Sequence, residues 1–293
     1  MDADHPKCGV LIPCLITVRR IINSVLLEYG IDLHPEDAEL TLRPEVVLEH
    51  TGRRRLSNSI LDSMFPKALS PCELYHYTTV ASLKGIAATR QLQLYWARKR
   101  IGEGELDTFA IRHGLKGYLD TSAGEPFYKT LSDDLFYVSL TRPGGGDEID
   151  LWSVFAEGGH GVRLKLRVHP SRAELRAIQY DALPDTVLSK LNSALASEGE
   201  PPFVPWSLSK IGAFCLPSTL RREDEVRLLI KRHAGGRDDA LTDGINQYWP
   251  LPIGESNDFC QIDLIEIHPG PNAQMHNIQN TIAGTPFESV PVV

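Results

Sequence analysis

The stretch Leu220–Lys231, LRREDEVRLLIK, sets two carboxylates two residues apart immediately before an apolar run. In an extended chain successive side chains point to opposite faces, so Glu223 and Glu225 are expected on one face with Asp224 turned away. Val226, Leu228, Leu229 and Ile230 read as a strand entering a core, which would fix both acids at a rigid strand mouth. Two acids so held can move a proton or stabilise positive charge developing on a substrate. The same residues also fit an exposed charge cluster laced with salt bridges, in which Arg227 pairs with Glu225 or Glu223. On this stretch alone both readings stay open.

Polar groups that could join the acids lie on three earlier strand candidates. Glu73–Tyr77 (ELYHY) carries His76 and Tyr77 and runs into Thr78, which can cap a helix whose apolar face is Val80, Leu83, Ile86 and Ala87. Gln91–Ala97 (QLQLYWA) alternates and carries Tyr95. Leu135–Thr141 (LFYVSLT) carries Tyr137, sets Ser139 and Thr141 on one face, and stops at the turn Pro143–Gly146. Each has a plain structural counterpart: a satisfied strand histidine, hydroxyl filler, tyrosines at a core edge.

The elements that must position these groups are short. Helical spacing is expected over Thr17–Tyr29, with Gly30 as the stop, near Leu106–His113, over Pro184–Ser197 and over Ala273–Ile282. Asp147 or Asp150 starts a short helix through Leu151, Trp152, Val154 and Phe155, with Trp152 as a core residue. Gly161–Val168 and Cys260–Ile267 alternate as strands, whereas Glu198–Trp206 and Ala234–Asp243 read as loops. Residues 31–70 mix acids, prolines and short apolar patches, which predicts a small helical accessory region. Strands and helices without a regular βαβ rhythm argue for an α+β fold, organised as residues 1–70 and a larger domain over 71–293.

The chain has 293 residues, 42% hydrophobic and 23% charged, and is long enough for one large core. Its net charge of −8 provides no global field for nucleic acid or an anionic membrane, although Arg98–Arg100 with Arg221 and Arg222 offer a local basic rim. Five cysteines without ligand spacing and ten scattered histidines predict no metal site and a reduced, cytoplasmic setting. Cys8–Val18 is apolar but short and interrupted by Pro13, so neither a membrane span nor a signal peptide is expected. Phosphate-loop, dinucleotide-fold and nucleophile-elbow patterns do not occur.

Three stretches stand in an order that resembles the ADP-ribosyltransferase superfamily. Tyr75-His76-Tyr77-Thr78 is similar to its first strand, Tyr137-Val138-Ser139-Leu140-Thr141 to its middle strand, and Glu223-Asp224-Glu225 to the acid pair opening its later strand. Within the superfamily the chain looks like an uncharacterised bacterial branch, through Leu151-Trp152, His160-Gly161-Val162, Glu223-x-Glu225-x-Arg227 and the segment Ile267–Pro271. The likeness covers about residues 72–285. It departs from that branch after the second strand, where Arg98–Asp107 replace an Asn-Asp-Pro-Phe element. It also joins a His-Tyr-Thr start to a Glu-x-Glu pair, a combination of two subgroups.

The resemblance implies a split mixed or antiparallel sheet with peripheral helices, NAD as substrate and transfer of ADP-ribose to a protein or nucleic acid. It further implies a toxin, effector or phage-defence role in the producing or the target cell, with an antitoxin or host partner docking on residues 1–70. Catalytic roles fall to Glu225 and Glu223, the first on the ribose and the second on the acceptor. NAD-binding roles fall to His76, Tyr77, Thr78, Tyr95, Tyr137, Ser139 and Thr141. Water in place of the acceptor would make the same pocket a glycohydrolase, and loss of chemistry would leave a binding module.

Overall fold

The computed structural model describes residues 14–33, 40–50, 55–97, 109–111, 113, 115, 135–180, 185–231 and 240–293. The expected basic rim at Arg98–Arg100 and most of the Leu106–His113 stretch lie outside them. In chain order the elements are α1 (Leu15–Glu28), β1 (Leu40–Arg43), β2 (Val46–Glu49), α2 (Arg55–Met64), β3 (Cys72–Thr78), α3 (Val80–Thr89), β4 (Gln91–Trp96), β5 (Leu135–Thr141) and α4 (Glu148–Phe155). There follow β6 (Val162–Pro170), β7 (Glu174–Ala177), β8 (Gln179–Tyr180), α5 (Val187–Ser197), β9 (Phe203–Val204), α6 (Leu208–Gly212) and β10 (Cys215–Leu216). A 3₁₀ turn (Ser218–Glu223) then leads into β11 (Glu225–Lys231), β12 (Leu241–Thr242), β13 (Gln247–Pro252), β14 (Cys260–Pro269) and α7 (Met275–Ile282).

The fold is α+β, as expected, built on a curled antiparallel sheet. Its strands run β12-β13-β4-β5-β3-β6-β14, with β11 on β5 and β7 on β11. One face is apolar because alternate positions of every central strand are aliphatic or aromatic. Leu74, Leu94, Val138, Leu164 and Leu228 pack there with α3 and α7. Thr79, one residue beyond the cap expected at Thr78, starts α3 by accepting the Ser82 amide at 2.9 Å.

A second core lies at one end of the other face. There Val18, Ile22 and Leu26 of α1 meet Leu56 and Ile60 of α2, Leu191 of α5, Phe214, and Tyr137 and Leu229 of the sheet. Residues 31–70 are not all helical: β1 and β2 form an antiparallel hairpin, and β9 adds to β2 in parallel. Alternation in Leu40–Glu49 is the local cause, since Val47 and Glu49 point inward. The buried Glu49 carboxylate accepts from the Ser57 amide and hydroxyl and from the Trp206 amide. It thereby ties the hairpin to α2 and to the segment before α6.

Two more strands were not read from the sequence. Gln247–Pro252 pairs with β4 although it holds two prolines, and it lies near the end of the sheet, where only the short β12 follows. Glu174–Ala177 pairs with β11 through a run too short and too charged to read as a strand. Among the described residues no helix is long and apolar enough to cross a membrane.

The strand β5 has an unusual set of neighbours. Along its whole length β11 pairs one edge. On the other edge β4 covers Phe136 and Tyr137, β3 covers Thr141, and Val138–Leu140 pair with neither. The sheet is therefore split between β3 and β4.

Candidate active site

Register builds the centre of the site. Directly opposed residues of an antiparallel pair share a face, and β11 sets Glu225 against Thr141, Arg227 against Ser139 and Leu229 against Tyr137. The Glu225 carboxylate is 3% exposed, and burial of such a charge is tolerated only where partners surround it. Its Oε1 accepts from Ser139 Oγ at 2.6 Å and from Arg227 Nε at 2.8 Å, and its Oε2 accepts from Arg227 Nη2 at 3.0 Å. A carboxylate offers about four acceptor positions. These three bonds leave one on Oε2.

Arg227 is itself 1% exposed. Its Nη1 donates to the Ala213 carbonyl at 2.5 Å, and its guanidinium carbon lies 4.1 Å from the centre of the Tyr137 ring. From the far side the Tyr180 hydroxyl accepts the Glu225 amide at 2.7 Å. Burial is the main reason that the Tyr180 phenol is pushed well above its ordinary value, outweighing the Glu225 amide bond. That group stays a neutral hydroxyl at physiological pH.

Glu223 is placed differently from expectation. It closes the 3₁₀ turn, and Asp224 adopts a left-handed conformation with φ +42, so the strand begins at Glu225 and the alternation of an extended chain does not run back through 223. Thr141 Oγ1 reaches the Glu223 carbonyl at 3.5 Å. The bend is held from outside by the turn after β5. There the Asp147 amide donates to the Arg222 carbonyl at 2.7 Å, and a Cβ on Gly145 would overlap the Asp224 carboxylate.

His76 meets the site at the split. Its Nδ1 lies 3.2 Å from the Ser139 carbonyl, on the stretch of β5 that pairs with neither β3 nor β4. By its register with Leu164 it faces the apolar side, so it reaches the backbone of β5 and not the Glu225 carboxylate. Tyr95 stands opposite Tyr137 across the β4–β5 pair, with its hydroxyl on Gln93 at 2.9 Å. Ser139, Thr141, Tyr137 and Glu225 thus come together, with His76 and Tyr95 beside them.

Tyr77 and Thr78 do not join that group. Tyr77 is buried edge-on against Trp152 at 4.9 Å, and its hydroxyl accepts from Arg163 at 3.3 Å. The Thr78 carbonyl backs onto Gly161, where a Cβ would overlap it. Arg163 lies 4.2 Å from the centre of the Tyr75 ring and pairs with Glu148 at 2.8 Å. This cluster borders a cavity of about 620 Å³ lined by Trp152, Arg163, His268 and Asn272. A second cavity, of about 400 Å³, is lined by Glu174, Arg176 and Lys210. Glu225 lines neither one.

Two partners of Glu225 outside the expected site residues differ in how far the sequence showed them. Arg227 was legible from its spacing of two from Glu225 in a strand, which places both on one face. Tyr180 was not, because its strand has two residues and its partner is a backbone amide. Comparison of the chain with protein-family models, with curated proteins and with solved structures finds no match in any of the three.

Proposed function

We propose that this chain cleaves the nicotinamide–ribose bond of NAD and transfers ADP-ribose to a macromolecular acceptor, on a sheet of the ADP-ribosyltransferase type. The observation that carries the reading is the convergence of Ser139, Arg227 and Glu225 on adjacent strands beside the place where the sheet splits, with His76 on the Ser139 carbonyl from the opposite face. Glu225 has one acceptor position left, on Oε2. A ribose hydroxyl donating there would bring the negative charge next to the sugar as it becomes oxocarbenium-like. Ser139 and Arg227 would hold the carboxylate in place while this happens. Tyr95 would line the way in, His76 would hold the Ser139 backbone from the opposite face, and Glu223 would serve the acceptor from the bend. Water replacing the acceptor would give glycohydrolysis in the same site.

The burial of Glu225 and its two-point pairing with Arg227 favour a second reading, a binding module whose acid only stabilises the fold. Incubation of the purified chain with NAD labelled in the ADP-ribose part, together with cell lysate, separates them. A transferase labels protein or nucleic acid, a glycohydrolase releases free ADP-ribose only, and a module does neither. Growth adds a further test of the toxin role: expression of the intact chain should slow it, and equal growth with and without expression would count against that role.

A further inference from the structure

The cavity of about 620 Å³ opens on the same face of the sheet as Glu225. Tyr75 stands opposite Thr141, which stands opposite Glu225, and two residues further along β3 Tyr77 stands opposite Arg163, which stands opposite His268. Directly opposed residues, and residues two apart in one strand, share a face, so all of these side chains lie on one surface. Along it three strand spacings, about 14 Å, separate β11 from β6. Arg163 lines the cavity and lies 4.2 Å from the centre of the Tyr75 ring, so it joins the cavity to the row that holds Glu225. Inside, Ile149 of α4 with Pro269 and Pro271 form apolar walls. His268 sets Nε2 3.1 Å from the Glu266 carboxylate, which only accepts, so the ring proton is on Nε2. Burial and the Arg163 charge lower the His268 pKa, so the ring is neutral and its Nδ1 is a bare acceptor. Asn272 donates through Nδ2 to the Gly158 carbonyl at 2.8 Å, which leaves its Oδ1 to accept. Among the described residues neither acceptor has a donor.

We propose that this cavity binds the adenine of an adenine nucleotide, and that it holds the adenosine end of NAD while Glu225 holds the ribose at the other end. The second half rests on the transferase reading; the first does not. Two unused acceptors ask for a ligand that donates, and an exocyclic amine on a flat ring brings two protons together with faces suited to the apolar walls. The charged side chains of the wall, Glu148 and Arg163, pair with each other at 2.8 Å, so the part of the ligand inside is uncharged. A base fits that requirement and an ammonium or guanidinium group does not. His76 faces the apolar side of the sheet, so the far end of a dinucleotide anchored at Glu225 needs another site. The sugars and diphosphate of an extended dinucleotide can bridge the distance along the sheet, passing over Tyr75 and Arg163.

Calorimetric titration of the full chain with AMP tests it, with IMP in parallel and the variants Ile149→Glu and Asn272→Ala for comparison. IMP carries an accepting oxygen where AMP carries the amine, so it should bind about tenfold or more weakly. Each variant should weaken AMP by about fivefold or more. Ile149 is 81% exposed, so Ile149→Glu should keep the wild-type thermal midpoint without ligand. No binding of AMP by the wild type, equal affinity for AMP and IMP, or wild-type affinity in both variants would each overturn the assignment. Nicotinamide release from NAD, measured beside the titrations with lysate present, separates the two claims. AMP binding without release would sink the transferase reading and leave the adenine site standing, whereas release without AMP binding would sink the adenine site alone.

Discussion

Replacing Arg227 by methionine removes one half of a buried ion pair and leaves the other half in place. The Glu225 carboxylate would keep Ser139 Oγ at 2.6 Å and lose both nitrogens of Arg227, at 2.8 and 3.0 Å. The Ala213 carbonyl would lose its donor, and the face of Tyr137 its cation. Removing one partner of a buried pair costs about 3–5 kcal/mol, because an uncompensated charge stays inside. Against a total stability of about 5–15 kcal/mol that is a large share. Replacing both residues, as Glu225→Gln with Arg227→Met, removes the stranded charge and should recover most of the loss. Urea unfolding of the wild type, the two single variants and the double variant measures the coupling directly. A loss under about 1 kcal/mol for Arg227→Met, or additive losses in the double variant, would refute the view that the pair is closed and mutually dependent.

Other consequences can be checked as simply. Alanine at Gly146 should destabilise the bend before β11, since that residue has φ +73 and its Cβ would meet the Arg222 and Glu223 carbonyls at 3.0 Å; an unchanged urea midpoint would contradict the close approach of the two turns. Because Glu174 is held below its ordinary value of 4.5, its contribution to stability is present above that pH and is lost as the pH falls through the lower folded value. In the Glu174→Gln variant the acid unfolding curve should be shallower below pH 4.5, and an identical curve would count against the pairing of Glu174 with Lys210 and Arg176. Burial pushes the Cys260 thiol up to about 12, so at pH 8 it should resist alkylation in the native protein, while the exposed Cys14, whose thiol is lowered by bonds to Thr17, reacts. Comparable labelling of both sites in native protein, read by peptide mass, would argue against the packing around Cys260.

Much of the fold was legible because its signals are local. The apolar run LFYVSLT, the alternation of GVRLKLRV and the helical spacing from Val18 to Leu26 are local patterns, and the structure has the expected elements there, with LFYVSLT buried on both faces and GVRLKLRV on one. The hairpin of β1 and β2 was missed because the acids and prolines of residues 31–70 masked two four-residue strands. Glu174–Ala177 was missed for another reason: its charged residues are inside, paired with Lys210 and Asp62, and polarity in sequence did not mean exposure. In the site, the sharing of a face by Ser139 and Thr141 and the Arg227–Glu225 pairing follow from a period of two. That Asp224 breaks this period is a backbone fact with φ +42, and nothing in the residue types Glu-Asp-Glu announces it. The split of β5 between β3 and β4 is likewise a matter of pairing between distant segments.

The most direct measurement is nicotinamide release from NAD by the wild type and by Glu225→Asp. Aspartate keeps the charge that Arg227 requires but withdraws the carboxylate by one methylene, so the fold should survive while the placement of charge on the ribose does not. The account predicts release by the wild type in the presence of its acceptor and a fall of about a hundredfold or more in the folded variant. Equal turnover in the two proteins, or no release by the wild type with lysate present, would contradict it.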